Sequence, residues 1–414
     1  MFCCIACGAE AADLASDCRC PQCHDLLEWV TPAPTTHDLR ERWQARKAAP
    51  KDEADRSGVW RFRELLPPCA DLVSLGEGNT PLYDLPRLAS RIAAGRLLAK
   101  HQGMNPTGSF KDTGMTVAVS QARAAGCSWL ACASTGNTSA SMAAYAARAG
   151  LRSLVLVPEG KIARGKLAQA IDYGALICQL ATDFDGCVRA LSEVVPRAPL
   201  YLANSVNPFR LEGQKTAAVE MLEQLEWQVP DHLLVPGGNL ANSSALGKAL
   251  IELKTWGLID RLPKLSIVQA EGANPFARWL RGGRRGDLEP MTAKTAATAI
   301  QIGNPASWKK AARVLDTTGG ACIEVNEIEI EVAKAEIGGE GIGCEPASAA
   351  ALAGARKLIA SGFIGNEDTV VLLLTGHMLK DPEYTLERRQ GELLAAANAD
   401  AILQAMESNH GPRF

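Results

Sequence analysis

From Leu97 onward, short apolar runs alternate with alanine-rich stretches, and this alternation fixes the fold class. The runs Trp129 to Ala133, Ser153 to Val157, Ala175 to Leu180, His232 to Val235, Ser266 to Ala270 and Thr369 to Leu374 are continuous. They are not alternately apolar and polar, so both faces of each strand must be covered. That is the pattern of a parallel sheet with helices on both sides. The intervening stretches stop at Gly126, Gly150, Gly174 and Gly362, where glycine can take the left-handed conformation that closes a helix. The expectation is an α/β fold, and 414 residues allow two or three domains at about 150 residues each.

Composition narrows the class of function. Apolar residues are 47% and charged residues 21% of the chain, the balance of an ordinary globular protein. A net charge of −3 gives no electrostatic reason to expect nucleic acid or an anionic membrane as partner. No apolar run approaches the roughly 18 residues of a spanning helix, and Met1-Phe2-Cys3-Cys4 lacks the layout of a signal peptide. A cytosolic protein acting on a small molecule is expected.

Six of the 13 cysteines lie in the first 23 residues. Cys4-x2-Cys7 and Cys20-x2-Cys23 are two thiol pairs on short turns, a spacing that suits a tetrahedral sulfur cage for zinc. Cys3 and Cys18 are spare, and His24 reads as a turn residue. Residues 31 to 75 read as a linker with one charged helix from about Arg40 to Arg56, bounded by Pro32, Pro34 and Pro67-Pro68.

Three segments carry chemistry. Asn105-Pro-Thr-Gly-Ser-Phe-Lys111-Asp-Thr-Gly114 puts one lysine after a Gly-Ser turn and before the helix from Met115 to Ala125. A lysine at a helix N-terminus meets the positive end of the dipole, which favours the neutral, nucleophilic amine. Ser134-Thr135-Gly136-Asn137-Thr138-Ser139 follows one apolar run and opens a helix, so its hydroxyls and free N–H groups can receive an anion such as a carboxylate. Gly237-Gly238-Asn239-Leu240-Ala241-Asn242 does the same after His232 to Val235, with glycines that let backbone amides wrap a phosphate.

Together with Gly76-Glu-Gly-Asn-Thr-Pro81, Ser205-Val-Asn-Pro-Phe-Arg210-Leu-Glu-Gly213, Gly343-Cys-Glu-Pro-Ala-Ser348 and Leu374-Thr375-Gly-His-Met-Leu-Lys380-Asp, these segments resemble the threonine synthase family of fold-type-II pyridoxal-phosphate (PLP) enzymes. The resemblance runs from about Leu75 to Pro382, and the Asn-Pro-Phe-Arg and Leu-Thr-Gly-His stretches are its narrowest marks. It implies two parallel or mixed-sheet α/β domains plus a small N-terminal zinc-ribbon-like segment. The implied spans are 1–30 for the ribbon, 31–75 for the linker, 76–125 with 216–400 for the large cofactor-binding domain, and 126–215 for the small domain.

The resemblance also implies roles. Lys111 would carry the cofactor as a Schiff base, Phe110 would pack on its ring, and Asn137 would bond its phenolic oxygen. Gly237, Gly238, Asn239, Leu240 and Ala241 would hold its phosphate, and Thr375 would face its ring nitrogen. The family's substrate is O-phosphohomoserine, whose carboxylate would meet the loop from Ser134 through Thr135 and Asn137 to Thr138. Its phosphate would meet Ser134, Thr138, Asn204 and Arg210, the last through the planar fork that suits phosphate. Zinc at Cys4, Cys7, Cys20 and Cys23, and a homodimer, are further expectations. Many members have arginine where this chain has Thr113. Cysteate synthase acting on phosphoserine, threonine dehydratase, and a catalytically silent binding protein are the alternatives.

Overall fold

The computed structural model describes residues 1–36, 38–160, 164–388 and 398–408; residues 389–397, inside the expected 216–400 span, fall outside it. In chain order the strands are β1 (Phe2–Cys4), β2 (Glu10–Ala11), β3 (Leu27–Trp29), β4 (Leu82–Asp84), β5 (Arg96–His101), β6 (Trp129–Ala133), β7 (Arg152–Pro158), β8 (Leu176–Leu180), β9 (Leu200–Leu202), β10 (His232–Pro236), β11 (Lys264–Ala270), β12 (Cys322–Val325) and β13 (Thr369–Leu374). They form an antiparallel ribbon ordered β2-β1-β3, a six-stranded sheet ordered β12-β11-β10-β13-β5-β4, and a four-stranded sheet ordered β8-β7-β6-β9. Every pairing in the two larger sheets is parallel except β4 with β5.

Burial explains why the apolar runs are continuous. Successive residues of one strand enter cores on opposite faces: Leu233, Val235, Val371 and Leu373 face one cluster, while Leu234, Val370, Leu372 and Leu374 face another. The four-stranded sheet repeats this, with Leu130 and Cys132 on one side and Ala131 and Ala133 on the other. Two covered faces favour apolar side chains at most positions, and the polar ones that are buried, such as Lys100 on β5, take a partner inside the protein. The glycines read as helix stops all have positive φ, from 70° at Gly150 to 78° at Gly174. Among the described residues no helix is long and apolar enough to cross a membrane.

The segment 31–75 is not the simple linker that its composition suggested. The expected single helix is two, Leu39–Ala48 and Glu53–Arg56, followed by a 3-10 turn Trp60–Leu65. Pro50 interrupts the pattern, and Asp52 restarts it by accepting the Asp55 N–H at 2.8 Å. Trp43 and Phe62 are fully buried in the main core, edge to face at 5.2 Å. Arg61 is buried too, and it donates to Glu223 at 2.7 Å.

Two helices set up the site by an unusually close crossing. Lys111 is the first residue of the helix Lys111–Ala124, and Arg210 lies in the first turn of the helix Pro208–Gln224. At their contact Gly114 faces the Arg210 carbonyl, which an added Cβ would meet at 2.5 Å, and Gly213 lies against the Thr113 carbonyl with no room for a Cβ. The two glycines bring Lys111 and Arg210 onto one side of the molecule. Gly213→Ala should cost about 2 kcal/mol by overpacking, read as a lowered midpoint in denaturant unfolding of the cofactor-free protein. An unchanged midpoint would mean that the helices slide apart freely.

Candidate active site

Both large sheets reverse strand order once, and ligands of open α/β sheets bind outside the carboxyl ends of strands at such points. In the six-stranded sheet the reversal lies between β10 and β13, and in the four-stranded sheet between β6 and β9. The loops leaving these strands are 237–240, 375–377, 134–136 and 203–207. These contain or adjoin most of the residues that the sequence singled out.

Around Lys111 the backbone is stitched from three segments. The Phe110 N–H donates to the Thr375 carbonyl and the His377 N–H to the Gly108 carbonyl, both at 2.9 Å, and the Glu345 N–H donates to the Gly376 carbonyl at 2.9 Å. Lys111 Nζ sits 4.0 Å from the centre of the Phe110 ring. Burial, with Arg210 nearby and Glu345 opposing, lowers its amine to about 7. Other buried lysines are committed elsewhere. Lys100 is paired with Glu220, Lys215 and Lys248 with Glu212, and Lys310 donates to the Leu27 carbonyl at 2.9 Å. A neutral amine with no acceptor is the state required for attack on a carbonyl.

Arg210 is fully buried. Asn207 caps its helix by accepting the Phe209 N–H at 3.0 Å, which turns the Arg210 side chain inward, where Nη1 donates to the Ala203 carbonyl at 2.9 Å. Nε and Nη2 have no partner. The surface salt bridge that a lone arginine usually makes is absent here. Burial pushes the guanidinium down to about 10, which leaves it cationic at neutral pH. A buried cation with two unused donors is costly, and an anion brought to them would offset that cost.

The glycine loop is equally tight. A Cβ on Gly237 would meet Ile267 Cγ2 at 2.6 Å, and one on Gly238 would meet the Ile300 Cα at 3.1 Å. Leu240 caps the helix Ala241–Thr255 at φ 64°, a left-handed conformation that costs a leucine about 1 kcal/mol or more. The first N–H groups of that helix have no intrahelical acceptor, and both side-chain ends of Asn242 and the Ser307 hydroxyl are buried without partners.

Two expected ligands are partly occupied. Asn204 receives the Ala133 N–H and donates to the Ala133 carbonyl, each at 3.1 Å. Asn239 donates to Ser205 Oγ at 2.5 Å and accepts from the Ala306 N–H at 2.6 Å, so its side chain braces the loop, and its carbonyl accepts the Ser307 N–H at 3.3 Å. Ser134, Thr135, Asn137 and Thr138 are half-buried around the start of the helix Asn137–Ala149, which no side chain caps.

Sequence reasoning missed Glu345. Its carboxyl is buried and accepts from Asn137 Nδ2 at 2.9 Å and from the Thr375 hydroxyl at 2.9 Å. Burial pushes it above the usual carboxylate range, although Asn137, Thr375, Lys111 and Lys380 act to lower it. The quoted stretch Gly343 to Ser348 contained this residue. A carboxylate directly before Pro346 reads locally as a helix start, and nothing in the sequence says what it faces.

At the N-terminus, the Sγ atoms of Cys4, Cys7, Cys20 and Cys23 all lie within 4.8 Å of one another. Cys3, Cys18 and His24 stay outside the group.

Residues 73–376 match the family model described as pyridoxal-phosphate dependent enzyme. The threonine synthase of Methanosarcina acetivorans is 41% identical over 97% of this chain and 98% of its own length. That of Methanocaldococcus jannaschii is 43% identical over 92% and 93%. The chain belongs to the threonine synthase family. Diaminopropionate ammonia lyase from Escherichia coli shares the fold at a TM-score of 0.66 and 16% identity, covering 88% of this chain and 95% of that one. The family is PLP-dependent, and the fold is its α/β type. Thr113, where arginine was expected in many members, is buried and its hydroxyl donates to the Phe110 carbonyl at 2.8 Å. The position is filled without a charge and holds the turn before Lys111.

Proposed function

We propose that this chain converts O-phosphohomoserine and water into L-threonine and inorganic phosphate, with pyridoxal phosphate held between the two large sheets and attached to Lys111. The observation that carries this reading is the buried, half-unpartnered Arg210 guanidinium beside an amine lowered to about 7. A dehydratase acting on a hydroxy amino acid has no use for that cation, whereas a phosphate ester does.

The residues present fit the cofactor: a glycine cradle, an uncapped helix end and orphaned polar atoms gather at one switch point. Gly237, Gly238, Asn239, Leu240 and Ala241 would hold its phosphate, Phe110 its ring, Asn137 its phenolic oxygen and Thr375 its ring nitrogen. Asn137 can serve both partners, because an amide nitrogen has two hydrogens and one of them goes to Glu345. When bound, pyridoxal phosphate supplies the electron sink that makes protons on the substrate's carbons labile. Lys111 Nζ takes the proton from Cα and relays protons onward, one amine serving as base and then as acid. Arg210, with Ser134, Thr138 and Asn204, binds the phosphate that leaves from Cγ, and Ser134, Thr135, Asn137 and Thr138 orient the carboxylate. Arg210 is buried and Lys111 half-buried, which limits bulk water at the site, so the water that adds at Cβ enters as a reactant.

We also infer the two-domain partition, 76–125 with 216–400 and 126–215, with the substrate entering between the sheets. A cytosolic homodimer belongs to the same reading, and the exposed Ile328, Leu379 and Leu386 supply apolar surface for a second copy.

Incubation with O-phosphohomoserine should release threonine and phosphate in equal amounts. Phosphate release from phosphoserine with added sulfite, giving cysteate and no threonine, would favour the cysteate synthase alternative, and a colourless protein inert to both would favour a silent binder.

Zinc held by Cys4, Cys7, Cys20 and Cys23 is part of the proposal. Tetrahedral Zn–S bonds of about 2.3 Å place sulfurs about 3.8 Å apart, and the Cys7–Cys20 separation is 3.7 Å. Cys20→Ser should lower zinc content and destabilise the ribbon without erasing activity. Metal analysis that finds no zinc in the native protein would end this part.

A further inference from the structure

The hydrogen-bond inventory around Thr375 leaves only two arrangements, and they differ by the place of one proton. Ser348 Oγ accepts the Thr375 N–H at 2.8 Å and the Gly376 N–H at 3.1 Å. Both of its lone pairs are thereby used, so its own hydrogen goes to Thr375 Oγ1 at 3.0 Å; the other acceptor in reach, the Gly376 carbonyl, is at 3.5 Å. Thr375 Oγ1 then has one lone pair and one hydrogen left. It has two neighbours to satisfy: Glu345 Oε1 at 2.9 Å and, by the placement proposed above, the cofactor's ring nitrogen.

If Glu345 is ionised, the threonine hydrogen must point at the carboxylate, because two lone pairs facing each other at this distance repel. The ring nitrogen then meets a lone pair and must carry a proton itself. If Glu345 carries the proton, it donates to Thr375, and the threonine hydroxyl turns its hydrogen to an unprotonated ring nitrogen. The proton count is the same in both arrangements. The proton sits either at Glu345 or at the ring, with Thr375 relaying between them.

We infer that Glu345 keeps this proton and acts through Thr375 as the positioning residue that holds the cofactor's ring nitrogen unprotonated. The surroundings favour this placement. The carboxyl is buried, and Gly376 packs so closely that its Cβ would meet Oε1 at 2.6 Å, which leaves no space for water. Asn137 donates to Oε2, a bond that the carbonyl oxygen of a neutral acid accepts equally well. Lys111 on one side and Lys380 on the other favour ionisation, and burial outweighs them. An unprotonated ring is the milder electron sink, which suits stepwise elimination more than transamination. Glutamate thus sets the polarity of a hydroxyl that alone could point either way.

The inference rests on Thr375 facing the ring nitrogen, and the test separates the two claims. Holoenzyme is reconstituted with cofactor labelled with ¹⁵N in the ring, and its nitrogen resonance is compared in wild type, Glu345→Gln and Thr375→Val. Glutamine imitates the neutral acid: its N–H donates to Thr375 and its carbonyl accepts from Asn137. The expected result is an unprotonated resonance in wild type, unchanged in Glu345→Gln and displaced in Thr375→Val. A protonated resonance in wild type, or one that loses its proton in Glu345→Gln, would overturn the assignment to Glu345. No displacement in Thr375→Val would show that Thr375 is not the nitrogen's partner, which removes the placement and the inference with it. Loss of folding in Glu345→Gln would be seen independently by far-UV circular dichroism, and the wild-type resonance alone still decides where the proton sits.

Discussion

Replacing Lys111 with alanine should lower turnover of O-phosphohomoserine by about 10²- to 10⁴-fold, the scale of losing a positioned acid–base group, and should end covalent attachment of the cofactor. With its amine lowered to about 7, roughly half of the molecules carry the neutral nucleophile at pH 7. No described buried lysine offers a substitute. Lys100, Lys215 and Lys248 are tied to Glu220 or Glu212, and Lys310 is turned to the ribbon. The fold should survive, because the half-buried Lys111 makes no ion pair that the alanine would break. Borohydride reduction followed by peptide mass analysis checks this directly: a cofactor still fixed to the Lys111→Ala protein would assign the attachment to another lysine.

Arg210→Leu should reduce kcat/KM for O-phosphohomoserine roughly a hundredfold, about 3 kcal/mol of transition-state binding, through loss of a charge-assisted contact to a dianion. The cofactor should stay bound with its absorption unchanged, because the cradle proposed for its phosphate, Gly237 to Ala241, is a separate segment. Slow reactions on unphosphorylated serine or threonine should persist. The structure adds a second readout. Arg210 is a buried cation whose single bond in the protein is to the Ala203 carbonyl, so removing its charge with the shorter, apolar leucine should leave the cofactor-free protein about as stable as before, the relieved desolvation offsetting the lost packing. A lowered thermal midpoint together with equal losses on phosphorylated and unphosphorylated substrates would make Arg210 a structural residue and remove the phosphate site.

The elements and the chemistry-bearing loops were legible in the sequence because their signals are local. Continuous apolar runs demand strands covered on both faces, glycines at 126, 150, 174 and 362 stop helices, and two Cys-x2-Cys turns place four thiols on one ribbon. Lys111 at a helix start and the Gly237-Gly238 turn are likewise settled within a few residues. Even the error in 31–75 was local in origin, since a charged surface pattern hid Trp43 and Phe62, whose burial depends on helices far along the chain.

What tertiary structure alone decided is which of these pieces face one another. Lys111 and Arg210 are about a hundred residues apart in sequence, and they share a site because Gly114 and Gly213 let two helices cross without side chains between them. The commitment of the Asn204 and Asn239 amides to backbone and loop partners is another long-range outcome. So is the meeting of Glu345 with Asn137 and Thr375. Periodicity and turn chemistry specify a residue's own conformation, whereas a proton's place in a buried network depends on every donor and acceptor that folding brings around it.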